Sequence, residues 1–402
     1  MVGTDKTLKN KEKENDKEMK RTQSKTSYIR KRVKTVQRRA KFVGVLYLLG
    51  SLALAAAVLY FPLLNGTALG ANDAVLPVLT FYKPIVDIFE GGFGCILGNL
   101  SSMNAVELGG VLSALFYVFL LLAVVFNALR SFKRLGWLFK RRASYTNGFN
   151  RNMYAMDSLG KRFSGSLAAI VIFYLLVYLA SFDGTGYPTP TLYAYVVLGG
   201  GLALHFLLGL IGGKVTLFTM GENVSEELRE FGLFTYFVRN LLQLAAIGGI
   251  LYFLLKESLL AEGMPVMIGN ALAGNVGALF NISLIIELVA WVCLFVMIKH
   301  ATAATEFNRD CMDGRGMNNF RVFSFFFALA VGALVALPYF GVIAAVKTGL
   351  NVNLLIAAAI SFVAFLLDCI VKSRHPKENL DDLGVEDYLR DGGEQKYNNT
   401  II

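Results

Sequence analysis

The chain of 402 residues is 55% hydrophobic and 17% charged, and it has a formal net charge of +10 at pH 7. This composition excludes a soluble globular protein, because the surface of a soluble chain of this length needs more charged side chains for solvation. Apolar runs longer than the ~18 residues that mark a membrane-spanning helix recur along the sequence. The predicted fold class is therefore all-α, a polytopic helical bundle embedded in a membrane.

Residues 1–41 form a polar arm ahead of the first apolar run. The early part of the arm mixes both charge signs, which is typical of a disordered segment. The later part, around Arg30-Lys31-Arg32 and Arg38-Arg39, is almost purely basic. Basic residues beside a span are attracted to anionic lipid by roughly 1 kcal/mol each. We therefore expect a basic, cytoplasmic, disordered arm that contacts anionic lipid, and no nucleic-acid partner. The arm lacks the apolar core of a signal peptide, so the first span is expected to act as its own insertion signal.

Eight apolar segments follow the arm. They are Phe42–Leu64, Gly110–Leu129, Ser166–Phe182, Leu192–Gly213, Tyr236–Leu255, Leu279–Ile298, Val322–Val346 and Val352–Val371. The connections at 130–162, 214–235 and 299–321 are rich in Lys and Arg, whereas the alternate connections hold only Lys83, Lys256 and Lys347. Basic loops stay in the cytoplasm. The sequence thus predicts a multi-pass protein of the plasma (cytoplasmic) membrane with both termini in the cytoplasm.

Two stretches in the basic connections resemble each other. The first runs from Phe149-Asn150-Arg151 to Asp157, and the second from Phe307-Asn308-Arg309 to Asp313. Each precedes an apolar run that begins with Phe-Ser, which suggests that one four-span unit is used twice. Two units of four spans lie parallel in the membrane. We expect membrane repeat 1 at 42–213, a cytoplasmic linker at 214–235, membrane repeat 2 at 236–371 and a cytoplasmic tail at 372–402.

Three connecting segments have apolar character of their own. Segment Ser131–Arg142 places several apolar residues on one helical face, which favours an interfacial helix on the headgroups over a simple extension of the second span. The outer connections 65–109 and Glu257–Ala278 are candidates for re-entrant elements, which lipid tolerates only where protein or a water-filled cavity covers their backbone.

Two ionisable residues lie inside spans at similar predicted depths. Ionisable groups there are costly and are candidates for function. His205 lies in the fourth span and Glu287 in the sixth. The functional hypothesis is a transport or proton site that these two residues share across the halves. The alternatives are a neutral His205 that makes one hydrogen bond to a neighbouring helix, and a Glu287 that stays protonated because burial disfavours a lone charge.

Other residues point to packing or bending of the spans. Gly201, Gly209 and Gly213 share a face of the fourth span and predict the close approach of another helix. Pro338 is a hinge candidate, because proline removes one backbone donor from the seventh span. A polar stripe of Arg239 and Gln243 in the fifth span, and Asp368 in the eighth, lie near the inner ends, where polar side chains can reach water.

Catalytic chemistry has weak support in this sequence. In each repeated motif Arg and Asp can form a salt bridge that fixes the connection under its bundle. The alternative is Mg²⁺ bound against a diphosphate, which needs several clustered acids, and the first motif offers Asp157 alone. The sequence has no P-loop, HExxH, GxSxG or CxxC motif. No cofactor, metal site or catalytic residue is expected.

The leading prediction of function is a permease that moves a small solute or ion, with proton coupling as an option. The second is a non-catalytic membrane scaffold or assembly factor whose basic cytoplasmic face binds lipid or a protein partner of unknown identity. A membrane-embedded transferase is third. A continuous polar path between the halves favours transport, and a tightly packed, dry bundle favours the scaffold.

Overall fold

The computed structural model describes residues 35, 38–60, 63, 84–139, 145–180, 191–217, 238, 240–254, 264–275, 277, 282–302, 316–342 and 351–372. The regular elements among these residues are helical. They are α1 (Arg38–Tyr60), α2 (Ile96–Ser102), α3 (Ala105–Phe139), α4 (Tyr145–Ala180), α5 (Leu192–Leu217), α6 (Asn240–Leu254), α7 (Met264–Leu272), α8 (Ile282–Thr302), α9 (Gly316–Tyr339) and α10 (Val352–Lys372), with a 3₁₀ turn at Phe93–Cys95 before α2.

Seven helices in the described part of the chain are long and apolar enough to cross a membrane. The spanning stretches are Arg38–Tyr60, Ala105–Gly136, Ser158–Ala180, Leu192–Ile211, Ile282–Ala301, Asn319–Tyr339 and Val352–Ile370. The protein is thus an all-α polytopic membrane protein, as the sequence predicted. The predicted fifth span corresponds to α6, whose 15 described residues cover about 22 Å of a hydrocarbon core ~30 Å thick.

The helices of the second and third spans are longer than a hydrocarbon core ~30 Å thick requires. Helices α3 and α4 have 35 and 36 residues, about 53 Å each, and they pack against each other. Residues 131–139 therefore continue α3 instead of forming the expected interfacial helix, which is the alternative that the sequence left open. Leu138 is fully buried and lies against Gly44 of α1, so packing on α1 holds this extension in place. We call the end of the bundle that carries Arg130–Arg134 and Lys161 the basic end.

The first copy of the repeated motif lies within α4 and not in a loop as expected. Phe149, Asn150, Arg151 and Asp157 are helical, because the helix begins at Tyr145 and continues into the apolar run without a break. The second copy, with Phe307, Asn308, Arg309 and Asp313, lies outside the described residues. So do residues 1–34 of the predicted arm, residues 218–235 of the predicted linker at 214–235, and the tail after residue 372. The internal repeat stays a prediction.

The buried apolar side chains form two cores. The first joins α1, α3, α4 and α5, and the second joins α6, α8, α9 and α10. Helix α4 belongs to both, because Ala168, Leu175 and Leu179 face the second core while its other face is buried in the first. Helix α4 also packs directly against α8. One helix therefore connects the two cores through apolar contacts.

Helix α9 ends earlier than the predicted seventh span. The helix stops at Tyr339, and Gly341 follows with φ +71°. The backbone N–H of Val342 donates to Leu337 O at 2.9 Å, and that of Gly341 donates to Pro338 O at 3.0 Å. These two bonds form a Schellman motif, the cap that ends a helix at a residue in the left-handed region. Pro338 lies in the last turn of this helix, and the expected hinge there stays a prediction.

The connections at the end opposite the basic end contain short helices that contact each other. Helix α2 packs against α7, and α7 also contacts α3 and α4. Helix α7 closes with a second Schellman motif, in which Gly274 has φ +97° and Asn275 N–H donates to Asn270 O at 3.0 Å. In the first connection, the Asn99 amide donates to Ile88 O and Glu90 O at 3.0 and 2.8 Å. The hydrogen bonds fix each connection internally, and the contact between α2 and α7 joins the two connections at the end opposite the basic end.

Candidate functional site

Glu287 is a buried carboxylic acid in α8. The side chain is 3% exposed, and its neighbours on the same helical face include Ala290 and Trp291, which belong to the second core. Trp291 lies one turn further along α8, and neither Glu287 Oε1 nor Trp291 Nε1 has a hydrogen-bond partner. The acid thus lies in an apolar environment beside a single aromatic donor.

His205 is buried among aromatic rings of the first core. The side chain of His205 is 1% exposed. Its ring centroid lies 5.7 Å from that of Tyr47 in α1 and 5.8 Å from that of Phe163 in α4. Tyr47 and Phe163 also contact each other, with centroids 5.7 Å apart. The three rings join α1, α4 and α5, as expected of a side chain that packs helices together.

His205 and Glu287 lie at different positions along their own spans. From the midpoints of the spanning stretches Leu192–Ile211 and Ile282–Ala301, His205 is displaced about 5 Å towards the basic end. Glu287 is displaced about 7 Å the other way. A site shared by these two residues stays a prediction.

A third set of buried polar groups lies between α6 and α10. Gln243 Nε2 donates to Asp368 Oδ1 at 3.0 Å, and both side chains are at most 5% exposed. Asn240, one turn before Gln243, is also buried, and its Nδ2 has no hydrogen-bond partner. From the sequence, Gln243 and Asp368 were expected to reach water or headgroups, whereas both are buried. Arg239, the other member of that stripe, lies outside the described residues.

The Gln243–Asp368 pair closes one end of a groove between α6 and α10. The groove has a volume of about 500 Å³. The other lining residues are apolar, and many are small. They are Leu242, Ala245, Ala246, Gly249, Ile356, Ala359, Ile360, Val363, Ala364 and Leu367. Periodicity gave no signal for this groove, because it depends on which two helices become neighbours.

The glycines predicted to pack in the fourth span lie in α5, and two of them can be placed in the structure. A Cβ added to Gly201 would lie 2.6 Å from Leu167 Cδ2, so α4 approaches α5 closely there. Gly209 is buried in the same helix, and the surroundings of Gly213 lie outside the described side chains. The serines of the two Phe-Ser pairs, Ser164 and Ser324, are both buried, and both donate to the carbonyl three residues earlier.

The helices and their buried polar groups define the class of this protein, a multi-pass all-α membrane protein with two apolar cores. No protein-family model, curated protein or solved structure matches the chain. The function must therefore be argued from the side chains themselves.

Proposed function

We propose that this protein is a membrane scaffold, a non-catalytic bundle whose basic end holds lipid or a protein partner. The observation that carries the proposal is the apolar junction between the two cores. Helix α4 meets the second core through Ala168, Leu175 and Leu179, and a transport path between the halves would need polar side chains or water at this place.

Most buried serines of the described helices support a dry interior. Ser51, Ser131, Ser164, Ser166 and Ser324 each donate to a carbonyl three or four residues earlier in their own helix. Each hydroxyl hydrogen is thus used in a bond within its own helix, as is common for serine in helices. They do not form a chain of hydrogen bonds along which a solute or ion could move.

The projecting pair of helices supports the role of the basic end. Arg130 and Lys133 are exposed on α3, and Lys41 lies over the Phe139 ring, with Nζ 6.0 Å from its centroid. Positive side chains held on packed helices present a fixed surface to anionic headgroups or to an acidic partner. We propose that this end faces the cytoplasm, in agreement with the basic residues of the connections.

Thiol labelling tests whether the junction is dry. In a background without cysteine, one variant keeps exposed Cys95, one keeps buried Cys293, and one carries Leu175→Cys at the junction. A charged, membrane-impermeant thiol reagent should label Cys95 and leave the other two unlabelled until the protein is unfolded. Rapid labelling of Leu175→Cys in the folded protein would overturn the scaffold proposal, because it would require water between the cores.

Cysteine labelling in intact cells tests the orientation of the protein in the membrane. Single cysteines at Arg151 and Arg309 should be protected from the impermeant reagent, while a cysteine at Lys83 should react. Labelling of position 151 from outside would place the basic end on the outer side of the membrane.

A permease remains the second candidate because of Glu287. A carboxylic acid that is 3% exposed within a span costs a few kcal/mol if it is charged and unpaired, so such residues often serve transport. Proteoliposomes with a trapped pH-sensitive dye and an imposed membrane potential measure proton entry directly. The scaffold proposal expects no protein-dependent proton entry, whereas entry that Glu287→Gln abolishes would establish the permease.

A further inference from the structure

Several large apolar side chains are exposed in the connection ahead of α3. We call residues 84–102 of this connection the α2 segment. Phe93 and Leu97 of the segment are 83% and 71% exposed. Two other apolar residues dock the segment on the protein, because Ile88 is buried and Ile85 packs against the first core. The α2 segment is therefore held on the bundle with an apolar face turned outwards.

A glycine turn fixes the most exposed part of this face. Gly91 and Gly92 have φ +84° and +98°, a backbone conformation that suits glycine and that few other residues adopt. The turn brings the rings of Phe89 and Phe93 together edge to face, with their centroids 5.5 Å apart. The bonds that the Asn99 amide donates to two carbonyls of the segment close it on the other side. Phe89 and Phe93 thus form a fixed aromatic tip.

The α2 segment lies near the level where α3 enters the hydrocarbon core. Leu108 begins a run of uncharged residues in α3 that continues to Leu129, so the hydrocarbon core begins near Leu108. A Cβ added to Gly269 of α7 would lie 3.5 Å from Leu108 Cδ1, and α2 packs against α7. The headgroup layer is roughly 5–8 Å deep on each side of the hydrocarbon core. These contacts put the segment at the depth of the headgroups, where an apolar face meets lipid.

The same end of the bundle carries the exposed tyrosines of the described residues. They are Tyr60 in α1, Tyr195 in α5, Tyr252 in α6 and Tyr339 in α9. Each lies within three residues, about 5 Å, of the end of its helix that is opposite the basic end. Tyrosine is enriched at the interface between membrane and water. The tyrosines therefore indicate the same interface independently of the α2 segment.

The charges of the segment indicate which lipid it meets. No Lys or Arg occurs from Pro84 to Leu129, and the α2 segment carries exposed Asp87 and Glu90. Anionic headgroups attract basic residues and repel carboxylates of this kind. An apolar tip beside two acids therefore fits neutral headgroups, in contrast to the basic end.

We propose that the α2 segment is an interfacial anchor that inserts Phe93 and Leu97 among neutral phospholipid headgroups. Apolar and aromatic side chains hold such elements at the boundary between headgroups and acyl chains. The anchor is a lipid-binding surface distinct from the basic end, which uses positive charge. Its test does not depend on the scaffold function proposed above.

Spin labels measure the depth of the segment in the full-length protein. In the background without cysteine, a nitroxide is attached to Leu97→Cys or to the control Ser102→Cys, and the protein is reconstituted in phosphatidylcholine vesicles. Both positions are exposed, so a label fits without displacing a packed side chain, and Ser102 lies about 140° from Leu97 around α2. The label at position 97 should be reached by oxygen, which concentrates in the membrane, in preference to a water-soluble nickel complex. The label at position 102 should show the opposite preference.

A second substitution tests the aromatic tip. Phe93→Ser should lower the ratio of oxygen to nickel accessibility at Leu97→Cys, because it removes the larger apolar contact with lipid. The matched control is Phe340→Ser, which removes a phenylalanine that is 75% exposed at the same end of the bundle and should leave the ratio unchanged. Addition of phosphatidylglycerol to the vesicles should not raise the ratio, because the segment has no positive charge that would attract this lipid.

The same measurements can overturn the proposal. Nickel accessibility at position 97 equal to that at position 102 would place the segment in water, and a label at position 97 that neither reagent reaches would show that a second copy or another protein covers the face. Oxygen preference at both positions would place all of α2 inside the hydrocarbon core. An oxygen preference that requires phosphatidylglycerol would refute binding to neutral headgroups, and an unchanged ratio in Phe93→Ser would refute the role of the aromatic tip.

Discussion

Replacement of Gly50 by alanine should destabilise the protein, although alanine is the better helix former. Gly50 is buried in α1, and a Cβ added there would lie 2.7, 3.1 and 3.3 Å from Cε2, Cδ2 and Cζ of Phe163. The Phe163 ring has little room to move away, because it packs against Tyr47 and His205 at centroid distances of 5.7 and 5.8 Å. The new methyl group must therefore displace the Phe163 ring, which side chains of α1 and α5 hold in place.

Gly248 provides the matched control for this substitution. It lies in α6 with nothing within 4 Å of an added Cβ. Alanine in a helix interior is favoured over glycine by about 0.8–1.0 kcal/mol, so Gly248→Ala should be neutral or stabilising by about that amount. Overpacking of a core costs about 1–3 kcal/mol. The free energy of unfolding of Gly50→Ala should consequently be about 1–3 kcal/mol below that of Gly248→Ala.

The assay is unfolding in mixed micelles of increasing SDS content, followed by tryptophan fluorescence. Phe163→Leu makes room beside Gly50, so the Gly50→Ala/Phe163→Leu double variant should lose less stability than the sum of the two single variants. Equal stabilisation by Gly50→Ala and Gly248→Ala would refute the reasoning, since it would mean that Phe163 is not held in place. The same conclusion would follow if the stability loss of the double variant equalled the sum of the losses of the two single variants.

Three further predictions concern single contacts, and the same unfolding assay measures them. Gly341→Ala should destabilise α9 by about 1 kcal/mol, because Gly341 has φ +71° and a side chain disfavours that conformation; no change would mean that the Schellman cap is not maintained in solution. Tyr117→Phe should cost about 1 kcal/mol by removing the 2.7 Å bond to Val58 O, and a neutral result would imply that another donor replaces the hydroxyl. Ser361→Ala should cost a similar amount by removing the 2.8 Å bond to Ser324 O, whereas a stabilised variant would contradict any role of this bond in joining α10 to α9.

The sequence predicted the membrane class and nearly all spans, because runs of apolar residues are a strong and local signal. It did not predict the length of α3 and α4. The segment after Leu129 was expected to form a separate interfacial helix on the headgroups, but Arg, Lys and Leu are good helix formers, and α3 continues through it. Leu138, buried against Gly44, packs this continuation on α1.

The end of α9 was missed for a different reason. The apolar run continues to Val346, so hydropathy alone placed the end of the span there and Pro338 inside it. The local signal was Gly341, three residues after the proline, where a residue in the left-handed region closes the helix. The backbone conformation of Gly341 thus determines where α9 ends, although the residues that follow are apolar.

The candidate site was the least predictable feature. Gln243 and Asp368 are 125 positions apart and form one hydrogen bond, but nothing in either segment indicates that α6 and α10 are neighbours. His205 and Glu287 were identified from their cost in lipid, which is a property of each residue alone. Their relation to each other depends on tertiary structure, and so does the groove.

The position of α4 between the two cores has a consequence for biosynthesis. Helix α4 is synthesised before α8, α9 and α10. The side chains of Ala168, Leu175 and Leu179 are therefore not covered by the second core until those helices have been made. In water such a face would favour aggregation of the nascent chain. In the bilayer the acyl chains are as apolar as leucine, so the face is solvated until its partners arrive. Insertion from the N-terminus and later docking of the second core are therefore compatible in a single chain.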